Sequence, residues 1–234
     1  MTLRRRIAYD TTLRVPSPRR PTAPPPAWLL AAALATACAE PGADTHEDTD
    51  ATLAEIALPR VDACDAVRSW PEDRSVREQR LLAAIADARD DGGRCPDGRR
   101  FAPQAIPATE GALVCAARNL AVTLATVDDF GHVDGDEATF VDRLADAQWT
   151  STLATELVAA GDVEPEVVVD DIWRGSAPHC AALHAAAWTR VGVAVVEREV
   201  PDPADDPEAP MSWGAYWVVV LSAEPTQAPT QAPD

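Results

Sequence analysis

Thr189–Val200 reads TRVGVAVVEREV and Ala215–Ser222 reads AYWVVVLS, and these two segments decide the fold. Valine alternates with small residues in the first segment, which is the period of two expected of a β-strand. Valine and aromatic residues fill the second segment, as strands prefer. Both segments are apolar at successive positions, so we expect both faces of their sheet to be covered. The segment between them, 201–214, is acidic and proline-rich and predicts a loop.

Helical patterns precede the two predicted strands. Ser75 and Glu78 fit a capping box, and the apolar spacing that follows predicts a helix running to about Arg89. Apolar stripes, and a proline suited to a first helical turn, predict three more helices. These are expected at about Thr109–Ala125, at about Glu137–Gln148 and from Pro165 onward. The predicted helices come early in the chain, the predicted strands come late, and the sheet is expected to be buried on both faces. This order predicts an α/β fold, a three-layer α-β-α sandwich.

The charge of the chain is strongly negative. It has 234 residues, of which 38 are acidic and 20 basic, for a formal net charge of −18. A nucleic-acid binder needs a basic face to displace counterions from phosphates, so this class is disfavoured. Docking on anionic lipid headgroups through charge is disfavoured for a similar reason. With 47% apolar but only 5% aromatic residues, the chain can bury one modest core.

The N-terminal 38 residues have the organisation of an export signal. Residues 1–26 contain six arginines and a single acid, and Ala27–Ala37 is an apolar run of 11 residues. That run is shorter than the roughly 20 residues needed to span a bilayer. A basic lead, a short apolar run and small residues are typical of a secretory signal. Leu34-Ala35-Thr36-Ala37 before Cys38 resembles a bacterial lipobox, which predicts a signal peptide over 1–38 and lipidation of Cys38. Plain secretion with cleavage nearby is the alternative.

Composition divides the rest of the chain into three segments. Residues 39–60 are acidic and small, which predicts a disordered tether. Residues 61–222 hold the periodic patterns and are predicted to form the one folded domain. Residues 223–234 contain a repeated Pro-Thr-Gln-Ala and predict a low-complexity, disordered tail. We therefore expect the sandwich to have disordered segments at both ends.

The chain contains five cysteines, at positions 38, 64, 95, 115 and 180. Lipidation of Cys38 leaves four, and an even number in an exported chain indicates two disulfides. From the residues alone, three pairings of these four are possible, and free buried thiols are the alternative. No two cysteines have the CxxC spacing of a zinc knuckle or a redox motif.

Three histidines and one glutamate are the candidates for chemistry. His132 lies in a polar, glycine-containing loop. His179 and His184 are five residues apart, which is not the spacing of a helical metal-binding pair. Glu156 lies in an otherwise apolar stretch, where a buried carboxylate is costly unless it is hydrogen-bonded or paired. An imidazole would be its natural partner; the alternative is that Glu156 points to solvent.

At these residues the sequence resembles the CAP superfamily, which comprises cysteine-rich secretory, antigen 5 and pathogenesis-related 1 proteins, and especially its bacterial extracellular SCP-domain branch. The resemblance covers about 81–221 and rests on the order and spacing of several blocks. The blocks are Leu81–Arg89, Cys115–Ala121, Phe130-Gly131-His132 with Asp134-Gly135, Thr155–Gly161, Pro165–Leu183, Arg190–Ala194 and Tyr216–Val218. Ala86 and Leu157 each stand where the family has asparagine, so the chain resembles a diverged member.

The resemblance implies a fold, a site and a disulfide pairing. The family fold is an α-β-α sandwich, which makes 61–222 a CAP/SCP-like domain. The family's cleft residues correspond to His132, Glu156 and His179, a set that can bind Zn²⁺ or another divalent cation while leaving a position open. The family's second acid has no match here, and the altered neighbours of Glu156 would loosen such a site. The implied disulfide pairs are Cys95 with Cys180 and Cys64 with Cys115.

Three functional interpretations follow. The favoured one is an exported, lipid-anchored binding module without turnover, whose cleft holds a divalent ion or a small apolar or peptide ligand. The second is a metal-assisted, peptidase-like hydrolase in which a bound ion activates water and Glu156 is a ligand or base. The third is a structural surface protein with a vestigial cleft. The expected location is outside the cytoplasm, as a membrane-anchored lipoprotein or as an extracellular or periplasmic protein. We expect membrane contact through the lipid anchor only and no nucleic-acid partner.

Overall fold

A central sheet of four strands organises the fold. The computed structural model describes residues 56–133, 138–151, 153–198 and 213–225. In chain order, the strands are β1 (Gly93–Arg94), β2 (Arg100–Phe101), β3 (Ala108–Thr109), β4 (Ala154–Ala160), β5 (Arg190–Glu197) and β6 (Ala215–Ser222). The central sheet has the order β3-β5-β6-β4, and β1 and β2 form a separate two-stranded sheet. β4, β6 and β5 are antiparallel neighbours, whereas β3 runs parallel to β5.

Helices cover both faces of the central sheet. They are a 3₁₀ helix (Asp62–Val67), α1 (Glu72–Asp91), α2 (Gly111–Val127), α3 (Phe140–Asp146), α4 (Pro165–Val167), its π-helical continuation (Val168–Trp173), and α5 (Ala177–His184). On one face, α2 and α3 pack against strand residues such as Val158 and Val218. On the other face, α1, the π-helical segment and α5 pack against residues such as Leu157 and Trp217. The protein is therefore the α/β, three-layer α-β-α sandwich that the sequence predicts.

α2 lies directly against β5 at Gly192. A β-carbon built on Gly192 would overlap the backbone of Leu113 and Val114. Glycine thus lets the helix approach the sheet closely, as glycine in a strand often does where another backbone passes. Small buried residues on α2, such as Ala116 and Ala117, suit the same close packing.

The start of α1 differs from the prediction. The helix begins at Glu72, and the Ser75 hydroxyl donates to the backbone oxygen of Pro71 at 3.2 Å. Glu78 turns into the interior instead of reaching back to the helix start, because Arg118 pairs with its carboxylate there. The predicted capping box of Ser75 and Glu78 is therefore wrong.

Two other elements differ from expectation. The sequence pattern does not predict β4, because alanine, threonine and glutamate within it weaken the strand signal. α3 spans Phe140–Asp146 and is shorter than the expected 137–148; a capping box formed by Thr139 and Asp142 fixes its first residue. β5, β6, α2 and the helix that begins at Pro165 lie within a few residues of their predicted positions.

Two disulfides join distant parts of the domain. Cys64 of the 3₁₀ helix bonds to Cys115 of α2, and Cys95 bonds to Cys180 of α5. These are the two pairs that the family resemblance implies. The second disulfide fixes α5 one residue after His179.

Several sequence-based predictions concern residues outside the described ranges. These are the signal peptide with Cys38, the tether up to residue 55, the Asp134-Gly135 part of one block and the tail beyond residue 225. They stay predictions, as does the division of the chain at residues 38, 60 and 222. In the described ranges, no helix combines the length and the apolar character that a membrane span requires.

Candidate functional site

Glu156 lies on β4, the outer strand of the sheet. Among the described residues β4 pairs only with β6, and Glu156 is opposite Val220 in that pairing. Because side chains alternate along a strand, Glu156 shares the face of Val158, which α2 and α3 cover. Its side chain is 2% exposed, so the carboxylate is buried and does not point to solvent.

Two side chains pair with the Glu156 carboxylate. Nη2 of Arg143 lies 3.0 Å from Oε1 and 2.9 Å from Oε2. Nδ1 of His132 lies 3.1 Å from Oε1. A buried carboxylate needs such partners because water no longer solvates it. The sequence suggests an imidazole partner for Glu156, but it does not suggest the arginine.

Arg143 connects three parts of the site. It belongs to α3, whose buried residues are Arg143 and Leu144. It also donates to the backbone oxygens of Ala138 at 2.9 Å and His132 at 3.1 Å. The guanidinium therefore links α3, the loop that carries His132, and β4. Sequence reasoning missed Arg143, although it is the one arginine between residues 119 and 173, and this isolation was the available signal.

His179 lines a cavity at the edge of β4. This edge cavity has a volume of about 140 Å³. Its walls are Phe130, Val158, Ala159, Ala160, Ile172, His179 and Trp213. The ring centroids of Phe130 and Trp213 are 6.2 Å apart, and both residues are 50% exposed. The edge cavity is thus mostly apolar, with an aromatic pair partly in solvent.

The His179 imidazole is the polar side chain of the edge cavity. Its Nδ1 is buried and has no hydrogen-bond partner within the part of the chain that the structure describes. Burial lowers the pKa of His179, and the neighbouring His132 lowers it further. At neutral pH His179 is therefore an uncharged imidazole, which can donate or accept a hydrogen bond with a bound molecule.

The three predicted cleft residues do not form one closed set of metal ligands. His132 and Glu156 are in contact, but His179 lies in the edge cavity, to which the other two contribute no wall. Over the described residues, no three His, Cys, Asp or Glu side chains are placed to hold a metal ion together. Arg143 contacts both oxygens of Glu156, so its positive charge would oppose a cation at this carboxylate. The described residues hold no ready-made set of three metal ligands here, and metal binding by His132, Glu156 and His179 stays a prediction.

Three solved structures are similar to this one. An outer surface protein from Borrelia burgdorferi has a TM-score of 0.47 and 17% identity, covering 64% of this chain and 93% of its own. An extracellular SCP-domain protein from Bacillus anthracis has a TM-score of 0.49 and 16% identity, and the match covers 67% of this chain and 45% of that protein. A cysteine-rich secretory protein from Staphylococcus aureus has a TM-score of 0.44 and 12% identity, and the match covers 65% of this chain and 40% of that protein. The chain spans less than half the length of the last two. No protein-family model and no curated protein matches it.

The aromatic pair is the part of the site that sequence reasoning does not find. Phe130 directly precedes Gly131-His132 in the polar loop, and Trp213 lies near the end of the acidic loop before β6. The available signal was composition, because the chain has few aromatic residues and one of them lies in a polar, proline-rich segment. A single exposed aromatic residue is common on protein surfaces, so what sets Trp213 apart is its pairing with Phe130, which only the structure shows.

Proposed function

We propose that this chain is an exported, CAP/SCP-like binding protein without turnover, and that its edge cavity takes one small apolar group. The observation that carries the proposal is the Phe130–Trp213 pair beside the buried Nδ1 of His179. Apolar walls with a few polar atoms are the usual composition of a small-molecule site. Apolar cavities of about 150 Å³ hold benzene, so the volume of about 140 Å³ matches one group of that size.

The contacts of Glu156 favour binding over hydrolysis. A metal-assisted hydrolase, the second candidate, needs Glu156 as a metal ligand or as a base for water. Arg143 contacts both carboxylate oxygens, and His132 contacts one of them. A metal ion at this carboxylate would meet the positive charge of Arg143, and a water molecule would share oxygens that already accept from Arg143. We therefore propose that ligand binding is independent of metal.

Toluene is a suitable first probe because it is apolar and of nearly the right size. Titration of the ¹⁵N-labelled full chain, with both disulfides formed, should shift the indole signal of Trp213 and the amide signal of His179. Trp213→Ala should weaken toluene binding about two- to tenfold, since it removes one ring of the pair. Val76→Ala, a half-exposed apolar residue of α1, is the matched control and should leave binding unchanged.

A zinc titration of the same chain separates the candidates. Our proposal expects toluene to bind equally well with zinc and with a chelator, and no zinc site of micromolar affinity. Micromolar zinc binding that disappears in the double variant His132→Ala/His179→Ala would favour the metal-dependent hydrolase. If neither toluene nor zinc binds, the structural surface protein with a vestigial cleft becomes the better explanation.

The proposal places the domain outside the cytoplasm on a lipid anchor at Cys38. It rests on the basic lead, the short apolar run and the lipobox-like residues before this cysteine. Cys38→Ala should move the expressed chain from the detergent phase to the aqueous phase in a detergent partition. His46→Ala, in the predicted tether, should partition like the parent. A Cys38→Ala chain that stays in the detergent phase contradicts the anchor.

A further inference from the structure

The outer edge of β4 presents backbone groups that β6 does not use. Ala223 N–H donates to Leu153 O at 2.9 Å, and Gly161 N–H donates to Ala215 O at 2.9 Å. Both bonds join directly opposite residues of the antiparallel ladder, at the two ends of β4. In such a ladder, bonded and non-bonded positions alternate. The even-numbered residues of β4 therefore direct their N–H and C=O groups away from β6, toward the open edge.

Val158 and Ala160 are the even-numbered residues of β4 that line the edge cavity, and of these two only Ala160 keeps both groups free among the described residues. The Val158 oxygen already accepts a hydrogen bond from Trp173 Nε1 at 3.3 Å, from the outer side as the alternation requires. Ala160 has no hydrogen-bond partner for its N–H or its C=O among the described residues. It is half-buried and forms a wall of the edge cavity. A donor and an acceptor on one residue thus stand unpaired at the place where the proposed ligand binds.

We propose that the edge cavity is a peptide site, in which one residue of an extended peptide pairs with Ala160 through two backbone hydrogen bonds. An apolar side chain of the same peptide fills the cavity. A single residue in extended conformation offers a C=O and an N–H on the same side, which is the complement of the free edge at Ala160. A hydrocarbon fills the cavity but leaves both groups unpaired, and buried unpaired groups are unfavourable. The inference rests on the proposed function and adds the class of ligand.

Two features limit the length and the sequence of the peptide. Trp173 occupies the Val158 oxygen, so pairing stops at Ala160 and does not continue along the strand. No wall of the edge cavity carries a formal charge near neutral pH, because His179 is uncharged there. We therefore expect a peptide with one aromatic or branched aliphatic side chain at the contact, and rejection of a lysine or glutamate side chain.

The test uses three probes on the ¹⁵N-labelled full chain. The first is N-acetyl-phenylalanine N-methylamide, which carries one residue with both backbone groups. The second is the same molecule methylated on the phenylalanine nitrogen, which cannot donate to Ala160 O. The third is toluene, which has no backbone. The first probe should bind about threefold to tenfold more tightly than the second, as expected for one hydrogen bond. It should also slow hydrogen exchange of the Ala160 amide, which toluene should not do.

A pair of variants tests the same contact from the side of the protein. Ala160→Pro removes the outward N–H and leaves the bonds of β4 to β6 in place, and proline is tolerated on edge strands. Ala154→Pro removes the corresponding N–H at the far end of β4 and is the matched control. Ala160→Pro should weaken binding of the first probe about threefold to tenfold more than it weakens binding of toluene. Ala154→Pro should change neither. Circular dichroism confirms that each variant is folded.

The outcomes separate this inference from the proposed function. Tighter binding of the first probe, with protection of the Ala160 amide, supports both. Binding of toluene together with equal binding of the two phenylalanine probes, and no protection of Ala160, overturns the peptide site and leaves the apolar site intact. If neither toluene nor any phenylalanine probe binds, both proposals are wrong. If Ala160→Pro does not fold, the comparison of the two phenylalanine probes still tests the peptide site.

Discussion

Nη2 of Arg143 lies 3.0 Å from Oε1 and 2.9 Å from Oε2 of Glu156, and neither side chain is more than 5% exposed. The pair joins α3 to the outer strand of the sheet. Replacing both partners of such a pair by apolar residues is often nearly neutral, whereas losing one partner leaves a buried charge without compensation. The edge of the sheet at β4 therefore depends on both residues being present together.

Arg143→Met should lower the free energy of unfolding by about 3–5 kcal/mol, because Glu156 is then buried without its cation. The double variant Arg143→Met/Glu156→Leu should recover most of that loss. Urea unfolding followed by circular dichroism measures both. Arg80→Met is the control, since Arg80 is 45% exposed in its pair with Glu166 and should change stability by less than about 1 kcal/mol. Equal losses of stability in Arg143→Met and Arg80→Met would show that the buried pair contributes no more than an exposed one.

Much of the sandwich can be predicted from sequence because its patterns are local. β5 and β6 alternate or repeat apolar residues, and α2 carries an apolar stripe, so neighbouring positions contain the information. β4 lacks such a pattern, because alanine and threonine within it suit several conformations. What makes β4 a strand is its pairing with β6, which is far away in the chain.

The candidate site can likewise be predicted from the sequence only in part. His132 and Glu156 are identifiable as residue types that carry chemistry, and they are in contact. The contact of Glu156 with Arg143 depends on how α3 packs against β4, and no spacing rule relates these two residues. The same holds for the Phe130–Trp213 pair, which joins two loops distant in sequence. Side-chain chemistry can thus be listed from the sequence, but its partners follow from tertiary packing.

Glu78 and Arg118 form a second buried pair, at the opposite edge of the sheet. Nη2 of Arg118 lies 2.6 Å from Oε2 of Glu78, and Nε of Arg118 lies 3.2 Å from Oε1. The Arg118 guanidinium lies over the ring of Trp70, 4.5 Å from its centroid. Burial raises the pKa of Glu78 to about 7, although Arg118 acts in the opposite direction.

The raised pKa of Glu78 predicts a pH-dependent stability. The folded state retains a proton between about pH 4.5 and 7 that the unfolded state has released. This contribution to stability is therefore complete below pH 4.5 and is lost as the pH rises through 7. The stability of the parent relative to Glu78→Gln should fall by roughly 2–3 kcal/mol over this interval, as measured by urea unfolding at several pH values. A difference that is constant with pH would show that folding does not shift the pKa of Glu78, and one that rises with pH would show that the fold favours ionised Glu78; either result contradicts the prediction.

His184 is a buried imidazole with a different pH dependence. It stacks on Phe101, with ring centroids 5.7 Å apart, and neither ring nitrogen has a hydrogen-bond partner among the described residues. Burial lowers the pKa of His184, and Arg174 and Arg89 lower it further. Below pH 6.5 the unfolded state therefore binds the proton more readily, so stability should decrease as the pH falls through this range.

Two substitutions separate the burial of His184 from its titration. His184→Leu should raise the free energy of unfolding by about 1–2 kcal/mol at neutral pH, because it removes unpaired buried nitrogens. His184→Asn keeps a polar group and cannot titrate, so it should reduce the loss of stability below pH 6.5 without the gain at neutral pH. Thermal unfolding at pH 5 and pH 7.5 distinguishes these effects. If the stability of the parent and that of His184→Asn depend on pH in the same way, His184 does not cause the loss of stability below pH 6.5.

Gly192 should tolerate no side chain. A methyl group there overlaps the backbone of α2 at Leu113 and Val114, which cannot move as a flexible side chain can. Gly192→Ala should therefore cost about 3 kcal/mol or more of stability, the upper end for overpacking. Gly131→Ala is the control, because a methyl group there meets no atom within 4 Å and should change stability by less than about 0.5 kcal/mol. Urea midpoints of the two variants give the comparison.

The two disulfides should differ in their effect on the edge cavity more than in their effect on stability. Cys95–Cys180 spans 85 residues and Cys64–Cys115 spans 51, and the stabilisation from chain entropy varies only slowly with this length. Replacing either pair by alanines should cost about 2–5 kcal/mol. Cys180 follows His179 directly, so only the loss of Cys95–Cys180 should weaken toluene binding and shift the His179 signals at temperatures where both variants are folded. Equal weakening of toluene binding by the two replacements would mean that α5 is held in place by the rest of the core.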